Sequence, residues 1–267
     1  MQGERGSNSH MAALELAPGC DVLPCALSAD VFAALLDGRA DCAALPIENT
    51  LHGSVAEHYD LLLTHPVRIV AESLLRIQHN LIAAPGVELS AIRTVLSHPV
   101  ALNQCRKFLS GFTQARALPF YDTAGSVKHV MAESLRDTAG IAPELGAKEY
   151  GAHVLLRNIE DHARNLTRFH LILRGDESAA PPADADKLSV AFAVDHRPGT
   201  LVKALQAMAL AGVNLTRIES RPVPGQPWEY VFFVEFRYTE AAMADAALDE
   251  LRSESRMVRE LGRYQAA

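Results

Sequence analysis

The stretch Arg164-Asn165-Leu166-Thr167-Arg168-Phe169, followed at once by the strand-like His170-Leu171-Ile172-Leu173, closes the first of two domains and decides how the rest of the chain is read. Upstream of it stand Pro46-Ile47-Glu48-Asn49-Thr50, then Ser97-His98-Pro99 with Gln104-Cys105, then Asp122-Thr123-Ala124-Gly125-Ser126. Downstream, Arg197-Pro198-Gly199-Thr200-Leu201-Val202 precedes a second string, Asn214-Leu215-Thr216-Arg217-Ile218-Glu219-Ser220-Arg221-Pro222. Around the first group the chain alternates short apolar strands with helical spacings. Leu23-Pro24-Cys25 and Cys42-Ala43-Ala44-Leu45-Pro46 flank a helix from Ser28 to Gly38 with Val31, Leu35 and Leu36 on one face. Arg68 to Glu72 and Leu75 to Ala83 read as strands crossing to a second lobe, Thr94-Val95-Leu96 leads into a helix over Ala101 to Leu109, and Ala117 to Phe120 into one from Thr123 to Asp137. Two lobes joined by crossing strands imply a cleft.

Residues 174 to 186 have the polar, proline-containing composition of a linker. Beyond them the order is βαββαβ. Leu188, Val190, Phe192 and Val194 alternate along one strand, Leu201, Leu205 and Met208 line a helix, and Val213 to Arg221 and Tyr230 to Tyr238 are strands. A helix from Glu240 and a strand over Met257 to Tyr264 complete the unit. The repeated Asn-Leu-Thr-Arg tetrapeptide reads as coincidence, the first copy being a loop ahead of a strand and the second a strand entry.

Composition narrows the function class. With 267 residues, 49% hydrophobic and 21% charged, the chain has room for one large domain and one small one. A net charge of -7 and a pI near 5.9 argue against a nucleic-acid partner, because a polyanion requires a basic face. No apolar run approaches the ~18 residues of a membrane span, and no basic segment leads an apolar one at the N-terminus. Cys20, Cys25, Cys42 and Cys105 lack paired spacing and read as free thiols of a cytoplasmic protein.

Taken together, the motifs of the first domain resemble those of the prephenate dehydratase family, and the second domain resembles the ACT module that the family carries as its regulatory part. The resemblance spans nearly the whole chain in the expected order. It implies an α/β fold with a bilobal, periplasmic-binding-protein-like catalytic domain over 1–173, lobe one being about 1–75 with 160–173 and lobe two about 76–159. A linker at 174–186 and an ACT domain at 187–267 follow. Gln2 to Ser9 then looks like the family's first strand-to-helix turn rather than an expression scar, with its preceding strand either cut to a stub or lying further upstream.

The implied reaction removes the C4 hydroxyl of prephenate as water and its ring carboxylate as carbon dioxide. Aromatisation drives it, so assistance to the departing hydroxide, a hold on two carboxylates and a dry site are what the protein must supply, with neither metal nor organic cofactor. The resemblance gives Thr167 the central role, with Glu48 and Asn49 as catalytic partners in a proton network. Taken alone, Thr167 reads as a turn or capping residue and Glu48, Asn49 and Thr50 as helix caps; the string Asn-x-Thr-Arg-Phe reverses that reading for Thr167. Ser7, Ser9, Thr50, Ser97, Thr123, Ser126, Arg168 and Phe169 are the expected substrate-binding set, with His98 and Gln104 as support. Hydroxyls and free N–H groups at helix starts suit a dicarboxylate, and arginine clamps one bidentately. In the ACT unit the expected phenylalanine-binding residues are Gly199, Thr200, Leu201, Val202, Asn214, Glu219 and Ser220, in a homodimer or homotetramer with L-phenylalanine as effector. Arogenate dehydratase, which acts on the amino-acid analogue, and a non-catalytic amino-acid sensor are the alternatives; an exported binding receptor is disfavoured by the attached ACT domain.

Overall fold

The structure, a computed structural model, describes residues 1–175, 181–223 and 225–267. From the N-terminus the chain forms α1 (Asn8–Leu16), α2 (Ser28–Leu36), β1 (Cys42–Asn49), β2 (Gly53–Ser54), α3 (Ala56–Thr64) and β3 (Val67–Arg76). There follow β4 (Asn80–Ala83), β5 (Thr94–Ser97), α4 (Pro99–Gln104), α5 (Arg106–Gly111), β6 (Arg116–Pro119), α6 (Thr123–Ala132), β7 (Thr138–Ala142), α7 (Glu144–Tyr150), β8 (His153–Leu156) and β9 (Leu166–Arg174). The C-terminal part is β10 (Lys187–Ala193), α8 (Thr200–Leu210), β11 (Asn214–Pro222), β12 (Tyr230–Arg237), α9 (Ala241–Ser253) and β13 (Met257–Tyr264). The middle of the expected linker, 176–180, lies outside the described residues.

Two compact units emerge. One comprises Met1–Ala33, Ala44–Ser54 and Leu74–Phe169, the other Ala34–Ala43, Val55–Ser73 and His170–Ala267. This grouping differs from the lobes expected from sequence, because residues 34–43 and 55–73 cluster with the C-terminal sheet rather than with the N-terminal residues.

In the first unit β5 runs parallel to β6 and β7, whereas β4 is antiparallel to β7 and β8, giving the order β6-β5-β7-β4-β8. Leu81, Ile92, Val95, Ala139 and Ile141 fill its core, all fully buried. The single helix expected over Ala101 to Leu109 is instead α4 and α5, interrupted at Cys105, whose N–H bonds to Leu102 O at 3.2 Å in a tightened turn. Helix α6 ends at Ala132, short of the expected Asp137, and the chain turns through Ser134 at φ 52°. The expected strand at Leu23-Pro24-Cys25 reduces to a parallel bridge between Gln2 and Cys25, in which Gly3 N donates to Cys25 O at 2.9 Å and Cys25 N to Met1 O at 3.0 Å. Strand β9 begins at Leu166, so Thr167 lies on a strand and not on a loop ahead of one.

In the second unit β11-β12-β10-β13 form an antiparallel sheet. The alternating Leu188, Val190 and Phe192 of β10 pack with Val234, Phe236, Leu248, Leu251 and Met208, as their period requires. The other face of β10 is buried as well, and it is polar. Lys187 is 3% exposed, with its ammonium 2.8 Å from Glu72 Oε2 and 2.9 Å from Glu235 Oε2. His170 Nε2 lies 3.6 Å from Glu72 and 3.9 Å from Glu235, and the Ser189 hydroxyl is 2.6 Å from that of Tyr264. Glu72 belongs to β3, so this cluster explains why residues 55–73 are drawn into the unit. Burial opposes ionisation of Glu72, but hydrogen bonds from His170 and Lys187 outweigh it and hold the carboxyl at about 2.

Candidate active site

Strands β1 and β9 are neighbours in a sheet of order β2-β1-β9-β3, which brings Asn49, at the end of β1, beside the start of β9. The Asn49 amide Nδ2 lies 2.7 Å from Asn165 Oδ1, 3.1 Å from Leu166 O and 2.9 Å from Thr167 Oγ1. Its Oδ1 accepts from the backbone N–H groups of Leu51 at 3.0 Å and His52 at 3.1 Å, closing the turn that follows β1. Both ends of the amide are thus engaged and its orientation is fixed. Because Asn49 donates to Thr167, the threonine oxygen is an acceptor in that bond and its own O–H is left to donate elsewhere. Thr167 is 8% exposed and Asn165 fully buried.

The other expected residues fall into distinct roles. Thr50 clamps the two segments: its N–H donates to Leu166 O at 2.9 Å, while its hydroxyl accepts from Leu166 N at 3.0 Å and donates to Arg164 O at 3.2 Å. Glu48 is half-buried on β1 opposite Ser54, and Arg168 is half-buried on β9. Phe169, expected to touch substrate, is 1% exposed and packs in the core with Ala12, Leu75 and Ile77; alternation along β9 puts it on the buried face that Thr167 also takes, with Arg168 on the other.

Ser7 caps α1, its oxygen accepting from His10 N at 3.3 Å. Ser9 sits half-buried in the first turn of that helix. Gly6 is held at φ 82°, and a Cβ there would stand 2.5 Å from Gly146 Cα, so only glycine fits. The turn is tied to the region of α6, since Glu4 receives the Tyr121 hydroxyl at 2.9 Å and the Lys128 ammonium at 3.0 Å. At the start of α6, Asp122 Oδ1 already accepts from Gly125 N at 2.7 Å, so a carboxylate of the protein occupies a donor expected to serve substrate. Burial pushes the Asp122 carboxyl up, against backbone hydrogen bonds from Gly125 and Glu4 that lower it. Thr123 is half-buried; Ser126 is fully buried and donates to Thr123 O at 2.6 Å. Ser97, also fully buried, donates to Ile141 O at 2.6 Å. In this structure the hydroxyls of Ser97 and Ser126 thus donate to backbone carbonyls of the framework.

The sequence reading missed His52 and His79. His79 Nε2 lies 2.7 Å from Gln104 Oε1, and Gln104 Nε2 lies 3.1 Å from His52 Nδ1. His52 Nδ1 is also 3.4 Å from Asn49 Oδ1. The only advance signals were the position of His52 three residues after Asn49 and the Gln104 already noted as support.

In the ACT unit Gly199 has φ 87° ahead of α8, and no atom lies within 4 Å of the place a Cβ would take, so its backbone conformation, not crowding within this chain, is what calls for glycine. Thr200 is engaged by its hydroxyl to Asp195 O at 2.7 Å and Arg197 O at 2.9 Å. Leu201 is half-buried against the core and Val202 exposed. Asn214, Glu219 and Ser220 lie on the edge strand β11, with Asn214 and Ser220 exposed. Glu219 is 3.7 Å from Arg217.

Comparison with known proteins agrees with this architecture. The family model "Prephenate dehydratase" matches residues 1–177 and the "ACT domain" model matches 189–254. The chain is 40% identical to arogenate dehydratase/prephenate dehydratase 2 of Arabidopsis thaliana, a chloroplastic protein, over 98% of this chain and 71% of that one. It is 36% identical to a bifunctional N-acyl-homoserine lactone acylase/prephenate dehydratase of Komagataeibacter europaeus, over 100% and 95% of the two chains. Among solved structures, prephenate dehydratase from Arthrobacter aurescens in complex with L-Phe superposes with a TM-score of 0.89 at 33% identity, over 100% of this chain and 89% of that one. The quorum-quenching acylase GqqA gives 0.91 at 35%, over 100% and 97%. A lyase-type dehydratase domain followed by an ACT module is the class these features define. The chain belongs to the prephenate dehydratase family.

Proposed function

We propose that this protein converts prephenate to phenylpyruvate, with Thr167 as the residue that assists departure of the C4 hydroxyl. The observation carrying this reading is the Asn49 amide directed at the Thr167 oxygen at 2.9 Å. With its acceptor side filled, the Thr167 hydroxyl presents its hydrogen outward, toward the oxygen that gains negative charge as the C4–O bond breaks. The electrons of the breaking ring-to-carboxylate bond form the new π-bond; carbon dioxide leaves, the ring becomes aromatic, and the departing oxygen takes up one proton to become water. Threonine is too weak an acid to surrender that proton alone, so Thr167 acts by hydrogen bonding within a network that includes Asn49 and Glu48.

L-phenylalanine is the proposed effector, bound at the ACT unit by residues at the start of α8 and along β11, in a homo-oligomer joined through ACT domains. The L-Phe complex of the Arthrobacter aurescens relative supports this. Among the described residues no helix is long and apolar enough to cross a membrane, and a cytoplasmic site of action fits the free thiols. The test is product analysis with purified protein: phenylpyruvate from prephenate is expected, and preferential formation of phenylalanine from arogenate would replace this assignment with the alternative.

A further inference from the structure

We propose that His52 is a further positioning residue of the dehydratase site, holding a switchable proton beside the Asn49–Thr167 pair, with Gln104 and His79 setting its direction. The inference rests on the dehydratase reading above. Its basis is a chain of contacts in which each hydrogen bond constrains the next. His79 is 1% exposed, and its backbone N–H donates to Glu160 Oε2 at 3.0 Å. Burial, outweighing the nearby Gln104 and Glu160, lowers its basicity, so the ring is neutral and carries one N–H. If Nε2 holds that hydrogen, it donates to Gln104 Oε1 at 2.7 Å. Gln104 must then direct its NH2 at His52 Nδ1, 3.1 Å away, and His52 is the neutral tautomer with its hydrogen on Nε2.

The chain has a second arrangement. His79 Nδ1 makes no hydrogen bond among the described residues, so nothing there ties the ring to one tautomer. With the hydrogen of His79 on Nδ1, Gln104 can turn its amide over, donate to His79 Nε2 and offer its oxygen to His52. His52 Nδ1 then bears a hydrogen, shared between Gln104 and Asn49 Oδ1 at 3.4 Å, and a proton taken from solvent at Nε2 would make the ring an imidazolium. That cation stands against the amide that orients Thr167. His52 is exposed as a residue, so its ring can exchange a proton with solvent. The departing oxygen takes its one proton from solvent, while His52 keeps its own and acts through Asn49, so the balance closes with no other reactant.

Glu160, whose side chain is 3% exposed, pairs with Arg76 at 3.6 Å behind His79. Asp161 donates its backbone N–H to Gln104 O at 2.7 Å, Cys105 follows Gln104 directly, and Glu48 adjoins Asn49 on β1. Arg164 and Arg168 flank the segment from Asn165 to Thr167 that Asn49 contacts, and His52 is the titratable side chain among these groups that meets Asn49 Oδ1 itself.

The test uses full-length protein and two variants, singly and combined. In wild type, kcat/KM for prephenate should fall as pH rises through the histidine range; His52→Gln should remove that limb and lower kcat/KM at pH 6 about 10-fold, with little change in melting temperature. Gln104→Glu should move the limb to higher pH, since a carboxylate beside Nδ1 favours the imidazolium, and should have no such effect in a His52→Gln background. Persistence of the limb in His52→Gln, or an equal shift by Gln104→Glu in both backgrounds, overturns the proposal while the dehydratase reading stands. Nitrogen-15 NMR of the His52 ring gives a readout independent of turnover: its titration midpoint should rise in Gln104→Glu. An unmoved midpoint overturns the hydrogen-bond chain, whereas wild type that forms no phenylpyruvate overturns the functional reading instead.

Discussion

Replacing Thr167 by valine removes one hydroxyl and adds one methyl at nearly constant shape, and its consequences can be worked out from the contacts. In the wild type three oxygens lie around the Asn49 amide nitrogen, which has two hydrogens. Loss of the threonine oxygen leaves Asn165 Oδ1 and Leu166 O, so both hydrogens keep a partner and no buried donor is stranded. The folding penalty should therefore be that of one net hydrogen bond, about 1 kcal/mol. Turnover should suffer far more. If the hydroxyl supports the departing oxygen only as charge develops, its removal should lower kcat by about 100- to 10,000-fold, or roughly 3 to 5 kcal/mol, with KM nearly unchanged. Thr167→Ser keeps the hydroxyl and gives up one methyl, at about 1 kcal/mol of stability and within about 10-fold of the wild-type kcat. Phenylpyruvate formation measured alongside thermal unfolding separates the two effects. A valine variant that folds and turns over prephenate at the wild-type rate would refute the role assigned to Thr167, and one that unfolds outright would refute the claim that Asn49 retains adequate partners.

The buried cluster in the second unit makes a pH prediction. The Glu72 carboxyl sits at about 2 against an ordinary 4.5, a depressed value, so its stabilisation is fully present above pH 4.5 and lost as pH falls from 4.5 toward 2. The amount is about 3 kcal/mol, read as acid-induced loss of stability in denaturant titrations. Lys187→Met, by leaving Glu72 and Glu235 without their ammonium, should cost about 3 to 5 kcal/mol at neutral pH; a neutral result would mean that the two carboxylates protonate at little expense. Gly6→Ala should destabilise the first unit by more than about 2 kcal/mol, because both its φ and the nearby Gly146 backbone exclude a side chain, and an unchanged melting temperature would show that the turn can move. Gly199→Val should weaken L-phenylalanine binding about 10-fold or more through the strained turn ahead of α8, as measured by calorimetry and by inhibition of turnover; unaltered binding would remove Gly199 from the site.

What the sequence reveals here follows the range over which each feature acts. The βαββαβ order was legible because Leu188, Val190 and Phe192 alternate within a single strand and their apolar character alone says which face is buried. The same strand hid its other face. Lys187 and Ser189 look like solvent-facing positions until Glu72, 115 residues away in sequence, and Glu235 are brought against them. A similar distance separates Asn49 from Thr167, 118 residues apart, and there the motifs supplied what spacing could not, since each lies in its own recognisable string. A motif names residue types without their surroundings, and it did not say that Ser97, Ser126 and Phe169 are buried in the framework near those strings. His52 shows the opposite failure. It belongs to no string and looks like an ordinary exposed loop residue, yet Gln104, from α4, meets its ring. A titratable side chain acquires a direction only from the partner that fixes its hydrogen, and that partner is a product of the fold. Short motifs can therefore locate a site, while the hydrogen-bond sense that determines which of its groups can move a proton appears only once separate strands and helices have been assembled around it.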